Sequence, residues 1–303
     1  MTDWRPNLLV IGAARASTTA VCAALGQHPD VFITQPKEPH FFAFAGAAPR
    51  FTGPGDEQQM NRAVVAKVDD YRALYADRGN ERRWGDGSVS TLYYAAPAID
   101  NIRTFAAPDV KLVCLLREPA ARSLSAFQFL RSRGLEHVSD FDEALALEEA
   151  RIAEGYHHMW HYRRMSQYAN QVESFAAAFP GQLFIGIAEE IRDDPATFSA
   201  QLCEFLEISS TRSLDLRREI NGGGVPRSRV LAGAIGVLWR SPAAGRVATA
   251  LVPRRVRAAV TRANSRQDDR AVDRARVLRP AFAPDVAAVE HILGRRIDAW
   301  HRT

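Results

Sequence analysis

Lysine is almost missing from this chain. Among 303 residues there are three, Lys37, Lys67 and Lys111. The remaining positive charge is arginine, which stays protonated and acts electrostatically rather than as a proton donor. Cysteine is as sparse: Cys22, Cys114 and Cys203 lie in separate apolar stretches. No pair has metal-ligand spacing, and an odd number argues against a disulfide frame, so buried thiols in a reducing compartment are expected. No apolar run reaches transmembrane length. The opening MTDWRPNLLVIG enters its first strand almost at once. That leaves no room for a secretory signal, and the expected location is cytoplasmic. Internal repeats and long low-complexity segments are also absent.

The length suits one large α/β domain or two small ones, and 47% of residues are apolar, enough for a substantial core. The net charge of +4 is unevenly placed, with 19 Arg against 8 Asp plus Glu from Arg212 onward. An Arg-rich, Lys-poor, Ala-rich composition is what a GC-rich genome gives, so part of the excess is codon bias. The basic region is otherwise a solvated face, or a surface for an anionic ligand, a membrane or nucleic acid.

The stretch 7–19, NLLVIGAARASTT, organises the chain. Residues 8–11 read as a buried strand. From Thr18 onward the apolar spacing suits a helix, with Ser17 and Thr18 as N-cap candidates. Between them, Gly12-Ala13-Ala14-Arg15-Ala16-Ser17-Thr18-Thr19 forms a small-residue turn. Backbone N–H groups and the positive helix end converge there, and Arg15 adds a fork of donors, which makes an anion site. The register is near that of a phosphate-binding G-x-x-x-x-G-K-[ST] loop, but Ser17 stands for the second Gly and the cation has moved forward to Arg15.

A second landmark is KLVCLLREPAARSLS at 111–125. The apolar run 112–116 reads as a strand buried on both faces of a parallel sheet, and Pro119 suits the first turn of the next helix. Arg117 at the strand's carboxyl end, with Ser125, could grip a second phosphate. Taken alone, Arg117 and Glu118 read better as a helix-capping pair.

Other segments read more plainly. Lys37-Glu38-Pro39-His40-Phe41-Phe42 is extended chain, either a catalytic edge or a surface ion pair ahead of two core phenylalanines. Residues 45–62 read as a loop able to move. Helices are expected at 64–77, 98–105, 141–154, 166–179, 194–206 and 283–300, the last with Trp300 as a core anchor. Strands are expected at about 83–86 and at 182–188. His157 and His161 have i, i+4 spacing that could ligate a metal, but no third ligand is evident. With Tyr162 they read instead as the wall of an acceptor pocket, or as packing. The stretch 221–229, NGGGVPRSR, is either an anion-binding lid or a solvated linker. Residues 230–252 suggest an amphipathic helical pair or a membrane-surface patch. The strand–helix alternation argues a parallel sheet with helices on both sides.

Two phosphate-type elements in this order resemble the sulfotransferases that use 3′-phosphoadenosine 5′-phosphosulfate (PAPS), and look closest to bacterial members related to the carbohydrate sulfotransferases. Residues 12–19 are similar to that family's 5′-phosphosulfate loop, G-x-x-[KR]-x-G-[TS]-[TS], and 111–125 to its 3′-phosphate motif, R-[DE]-P-x-x-R-x-x-S. Glu38-Pro39-His40-Phe41-Phe42 resembles E-x-H-F-F, where the Glu is a catalytic base in some carbohydrate sulfotransferases. Gly85-Asp86-Gly87-Ser88 resembles G-E-[KA]-[ST], and 221–229 resembles N-x-x-x-x-P-R-S near the nucleotide. Tyr168 and the run to Asp194-Pro195, and the closing G-R-x-I-x-x-W at 294–300, are further, weaker matches. Three positions differ from the common pattern: Ser17 for Gly, Arg15 for the frequent Lys, and Gly87 where some members carry Lys.

The resemblance implies a single P-loop-like, three-layer α/β domain over 1–303. Its core would span about 7–230, with an Arg-rich helical extension from about 231, around a parallel sheet of about five strands. It implies nucleotide binding by residues 12–19, Arg117, Ser125, Arg227, Ser228 and Arg229. Catalysis would fall to Arg15, Lys37, Glu38 and His40, with Glu38 or His40 as base. Asp86, Ser88, His157, His161 and Tyr162 would meet a small-molecule, lipid or carbohydrate acceptor. No metal and no nucleic-acid partner are implied, and the basic C-terminal region is a candidate for peripheral membrane contact. Competing readings are a P-loop kinase, which would need Mg²⁺ and the missing G-K-[ST], and a catalytically impaired nucleotide-binding relative.

Overall fold

A computed structural model describes residues 4–210, 213–216, 225–226, 265–266 and 269–302. Arg227, Ser228, Arg229 and the stretch 230–252 lie outside the described residues.

In chain order the elements are β1 (Leu8–Gly12), α1 (Thr18–Leu25), β2 (Val31–Ile33), α2 (Phe41–Phe44), α3 (Val68–Ala73), β3 (Arg83–Asp86), α4 (Ser90–Tyr93), α5 (Ala95–Phe105), β4 (Lys111–Leu116) and α6 (Pro119–Ser132). There follow α7 (Phe141–Ala146), α8 (Glu148–Ala153), α9 (Ala169–Ala178), β5 (Leu183–Ile187), α10 (Ala188–Asp193) and α11 (Pro195–Leu206). Helices at Asp269–Leu278, Ala283–Leu293 and Asp298–His301 close the chain. Among the described residues, no helix is long and apolar enough to cross a membrane.

The five strands form one parallel sheet in the order β2-β3-β1-β4-β5. The expected three-layer α/β architecture is therefore present. Residues 112–116 are completely buried, as an apolar run covered on both faces requires. At about 1.5–3 kcal/mol for each fully buried large side chain, this interior strand is a main contributor to stability. After β1 the chain goes to the sheet edge for β2, returns beside β1 for β3, then crosses to its other side for β4. The strand order reverses at β1, and the crevice at its carboxyl end is where such a sheet accepts a ligand.

Several helices differ from their expected spans. Only Val68–Ala73 of the stretch 64–77 is helical. The preceding backbone is used elsewhere, since Val65 N donates to Pro39 O and Gly46 N donates to Ala66 O. The loop 45–62 contains a wide helical turn at Glu57–Asn61. The helix expected at 141–154 comes as α7 and α8, parted at Leu147. The closing helix breaks after Leu293, where Gly294 adopts φ 64°, a left-handed C-cap that favours glycine. Trp300 is buried, and with Val289 and Ile297 it joins the same core as the sheet. This packing supports the turn after β4. Trp300 Nε1 donates to Glu189 Oε2 at 3.1 Å, and Glu189 Oε1 accepts from Glu118 N at 3.2 Å.

Candidate functional site

Three turns meet at the carboxyl end of β1: its own, the one after β3 and the one after β4. In the first, Gly12 has φ 152°, and a Cβ there would lie 2.7 Å from Leu92 Cβ, so only glycine fits. Arg15 and Ser17 are both left-handed, at φ 70° and 67°. Left-handed residues separated by Ala16 curl the backbone into a concavity whose N–H groups suit an anion, and α1 begins immediately after it. Ser17 occupies the N-cap position, but its side chain makes no capping bond. It holds the conformation that a glycine would adopt freely, which accounts for the Gly at this place in the loop motif it resembles. Ser17→Gly is expected to raise stability by about 0.5–1 kcal/mol, because a left-handed L-residue is strained and no side-chain cap is lost. Urea unfolding of the two proteins measures the difference.

The turn after β4 brings the second candidate anion element against the first. Glu118 caps α6, accepting from Ala120 N at 3.0 Å and Ala121 N at 2.7 Å. Arg117 is therefore not held as a partner of Glu118: its Nη1 donates to Arg15 O at 3.3 Å, and its own carbonyl accepts from Tyr168 Oη at 3.0 Å. Arg15 Nε donates to Ser125 Oγ at 3.2 Å, across 110 residues of sequence. Arg122 is fully buried behind them, donating from Nε to Ser166 Oγ and from Nη2 to Tyr162 O, both at 2.7 Å. It ties α6 to the 162–166 segment rather than facing the crevice. Burial, then Arg117, Arg133 and Arg122, push the Arg15 guanidinium down to about 9, so it is still protonated at neutral pH. Clustered, mutually repelling guanidinium groups at a helix N-terminus are a site that an anion stabilises.

Lys37, Glu38 and His40 lie beside the turn after β3. Lys37 Nζ is 2.6 Å from Glu38 Oε1 and donates to Gly87 O at 3.2 Å. A Cβ at Gly87 would fall 2.4 Å from Cys22 Sγ and 3.3 Å from Lys37 Cγ. The Lys37 stem uses the space beside Gly87, so a cation stands there although residue 87 has no side chain. Burial alone would raise the Glu38 carboxyl, but Lys37, His40 and the Val89 N–H outweigh it and hold it below its ordinary range. Glu38 keeps 30% of its side chain exposed, against 6% for His40. His40 Nδ1 is 2.8 Å from Ser90 Oγ, and its Nε2 is 4.0 Å from Glu38 Oε2. Burial pushes His40 down to about 4, so its ring is neutral at pH 7.

Asp86 and Ser88 are placed differently from an acceptor-facing pair. Both are about 1% exposed. Asp86 accepts from Tyr71 Oη, Ser88 N and Ser88 Oγ, at 2.6, 3.0 and 2.6 Å. Ser88 Oγ in turn accepts from His40 N at 2.9 Å. The two residues brace the Glu38–His40 segment from beneath, and the polar residues read as acceptor ligands are its scaffold.

The histidine segment is also inward. His157 donates its backbone N–H to Asp56 Oδ2 at 2.9 Å, and its Nδ1 lies 2.6 Å from Asp56 Oδ1. This pins the loop 45–62 to the segment 156–162. His161 is bound to Tyr93 Oη and Tyr156 O, at 2.6 and 3.0 Å. Tyr162 is fully buried, with its hydroxyl donating to Glu136 at 2.7 Å. Residues 158–160 are a 3₁₀ turn, so His157 and His161 do not share an α-helical face. No group able to hold a metal occurs among the described residues. The sequence reading missed Phe129 and Arg133. Arg15 and Arg133 stack on the Phe129 ring, at 4.7 and 4.1 Å from its centre. Burial lowers Arg133 to about 10 against the pull of Glu38. The i, i+4, i+8 spacing of Ser125, Phe129 and Arg133 was the available signal.

Known proteins resemble this chain over most of its length. The model of the sulfotransferase family matches residues 6–212. A solved sulfotransferase from Alicyclobacillus acidocaldarius superposes with a TM-score of 0.72 at 30% identity, over 98% of this chain and 99% of that one. The Mus musculus bifunctional heparan sulfate N-deacetylase/N-sulfotransferase 3 is 25% identical over 216 residues, which is 68% of this chain. The match spans 23% of the length of that curated relative.

Proposed function

This chain belongs to the sulfotransferase family, and we propose that it moves the sulfonate group of PAPS to an acceptor hydroxyl or amine by in-line displacement. The observation that carries the reading is the meeting of the two anion elements. Arg15 bonds Ser125 at 3.2 Å, and Arg117 bonds the Arg15 carbonyl at 3.3 Å. A nucleotide phosphorylated at two positions needs two grips on one crevice, and these come from the neighbouring strands β1 and β4. Bound PAPS supplies an activated sulfonate on a phosphate leaving group.

Each residue's work follows from its place. Residues 12–19 hold the 5′ end, with Arg15 and the loop N–H groups facing the oxygen that gains charge as its bond to sulfur breaks. Arg117 and Ser125 hold the 3′-phosphate. Glu38 is ionised and more exposed than His40, so it takes the acceptor proton as the new bond to sulfur forms. Lys37 orients Glu38 and the incoming group. Ser17 favours an active protein over an impaired one, because it already adopts the left-handed turn that the loop requires. The mouse relative's name, with its heparan sulfate N-sulfotransferase activity, supports a carbohydrate acceptor. A lipid or other small molecule is the alternative acceptor class.

Arg117→Ala tests the nucleotide assignment. Calorimetry should show affinity for adenosine 3′,5′-bisphosphate reduced about 10- to 100-fold, the loss of one charge-assisted contact. Unchanged affinity would remove Arg117 from the site, and tighter binding of Mg-ATP would favour a kinase.

A further inference from the structure

The peptide group joining Arg117 to Glu118 is held at both ends. Its carbonyl accepts from Tyr168 Oη at 3.0 Å, and its N–H donates to Glu189 Oε1 at 3.2 Å. Both of these side chains are held in turn by the closing segment of the chain. Asp285, in the helix Ala283–Leu293, accepts from Tyr168 N at 2.9 Å and from Ala169 N at 3.0 Å. Tyr168 stands at the N-cap of α9 and makes no side-chain cap of its own, so Asp285 supplies that cap from 117 residues away. Trp300 Nε1 donates to Glu189 Oε2 at 3.1 Å, and its ring centre lies 6.4 Å from that of Tyr168. Two chains of contact thus run from one segment to one peptide plane. That plane is the adjustable joint between β4 and α6, because Pro119 at the start of α6 fixes the next φ at about −65°. If the plane loses a bond on either side it can tilt, and the long Arg117 side chain magnifies the tilt at its guanidinium. A clamped plane holds the guanidinium's origin in one place before any ligand arrives, which lowers the entropy lost on binding.

We infer that Asp285 and Trp300 are positioning residues for Arg117. Acting through Tyr168 and Glu189, they clamp the 117–118 peptide and so set the protein's preference for a nucleotide that carries a 3′-phosphate. This rests on the reading of Arg117 and Ser125 as the 3′-phosphate grip. The closing helices thereby act on nucleotide choice through the turn after β4.

The test is calorimetry on the full chain with two nucleotides, adenosine 3′,5′-bisphosphate and adenosine 5′-monophosphate, which differ only in the 3′-phosphate. The wild-type protein should bind the bisphosphate about 10- to 100-fold more tightly. Tyr168→Phe removes a single hydroxyl and keeps the ring, and Asp285→Ala removes the cap behind it. Each should lower that preference about 2- to 10-fold, the worth of one hydrogen bond, while affinity for the monophosphate stays unchanged and reports an intact fold. The double variant should lose little more than Tyr168→Phe alone, because both residues act along one chain of contacts. An unchanged preference in Tyr168→Phe, equal losses for the two nucleotides, or additive losses in the double variant would each overturn the inference. A wild-type protein that binds both nucleotides equally would instead remove the reading of Arg117 on which it rests.

Discussion

Glu38→Gln is expected to lower turnover about 10²- to 10⁴-fold, the usual worth of a general base, with unchanged affinity for adenosine 3′,5′-bisphosphate. Glutamine keeps the shape and the hydrogen-bonding oxygen but cannot take a proton. Its effect should therefore appear in kcat rather than in nucleotide binding. The ion pair with Lys37 at 2.6 Å keeps Glu38 ionised at neutral pH, at the cost of some basicity. His40 is the competing base. Its ring is 6% exposed and its Nδ1 is already matched to Ser90 Oγ at 2.8 Å. Both groups titrate below neutrality, so a pH–rate profile alone would not separate them, whereas the substitutions do. Retained turnover in Glu38→Gln, with loss in His40→Gln, would transfer the role to His40.

Acidification from pH 7 to pH 4 should destabilise the fold by several kcal/mol through its buried histidines. His40 and His161 are each pushed down to about 4, foremost by burial, and His158 lies well below the ordinary value for the same first cause. Among the described residues, His158 Nδ1 has no hydrogen-bond partner. Its ring centre lies 6.4 Å from that of His40 and 5.3 Å from that of His157, so added positive charge would meet positive charge. In the unfolded chain these rings titrate near 6.5. Between about pH 6.5 and pH 4 the unfolded state therefore binds more protons than the folded state, and stability falls as pH falls through that window. A shift of this size is worth about 3 kcal/mol for each of His40 and His161, a large part of an ordinary stability of about 5–15 kcal/mol. Asp86 and Glu118, raised by burial, act in the opposite sense and offset part of the loss. The histidine share is isolated by urea unfolding across this range in the wild type and in His161→Gln. The variant should show the shallower pH dependence, and equal slopes would assign the acid sensitivity elsewhere.

Local chemistry made part of the site legible. The 12–19 turn and the Arg117–Ser125 element declare themselves because a strand end, a small-residue turn and a helix start are all short-range features. Glu38 was legible as a base candidate, but not its advantage over His40, which is a matter of exposure. Asp86 and Ser88 show the limit most clearly. A polar pair just past a strand end looks like a ligand, and nothing in its spacing reveals that Tyr71 and His40 consume its hydrogen-bonding capacity. His157, His161 and Tyr162 were placed on an acceptor wall for the same reason. Their partners Asp56, Tyr93 and Glu136 come from distant segments that no local pattern connects to them.

What the sequence determined by itself is the class of fold and the choice of the two turns proposed to grip anions. Both depend on periodicity and on turn chemistry within a few residues of one another. The tertiary structure decided which of these elements meet. Placing β1 between β3 and β4 brings Arg15 onto Ser125 across 110 residues and sets the Glu38 segment beside the same crevice. It also turns Asp86 inward and sets Arg15 and Arg133 against one ring, that of Phe129. Such contacts arise from the order and packing of strands and helices, a property of the assembled layers that local sequence spacing does not carry.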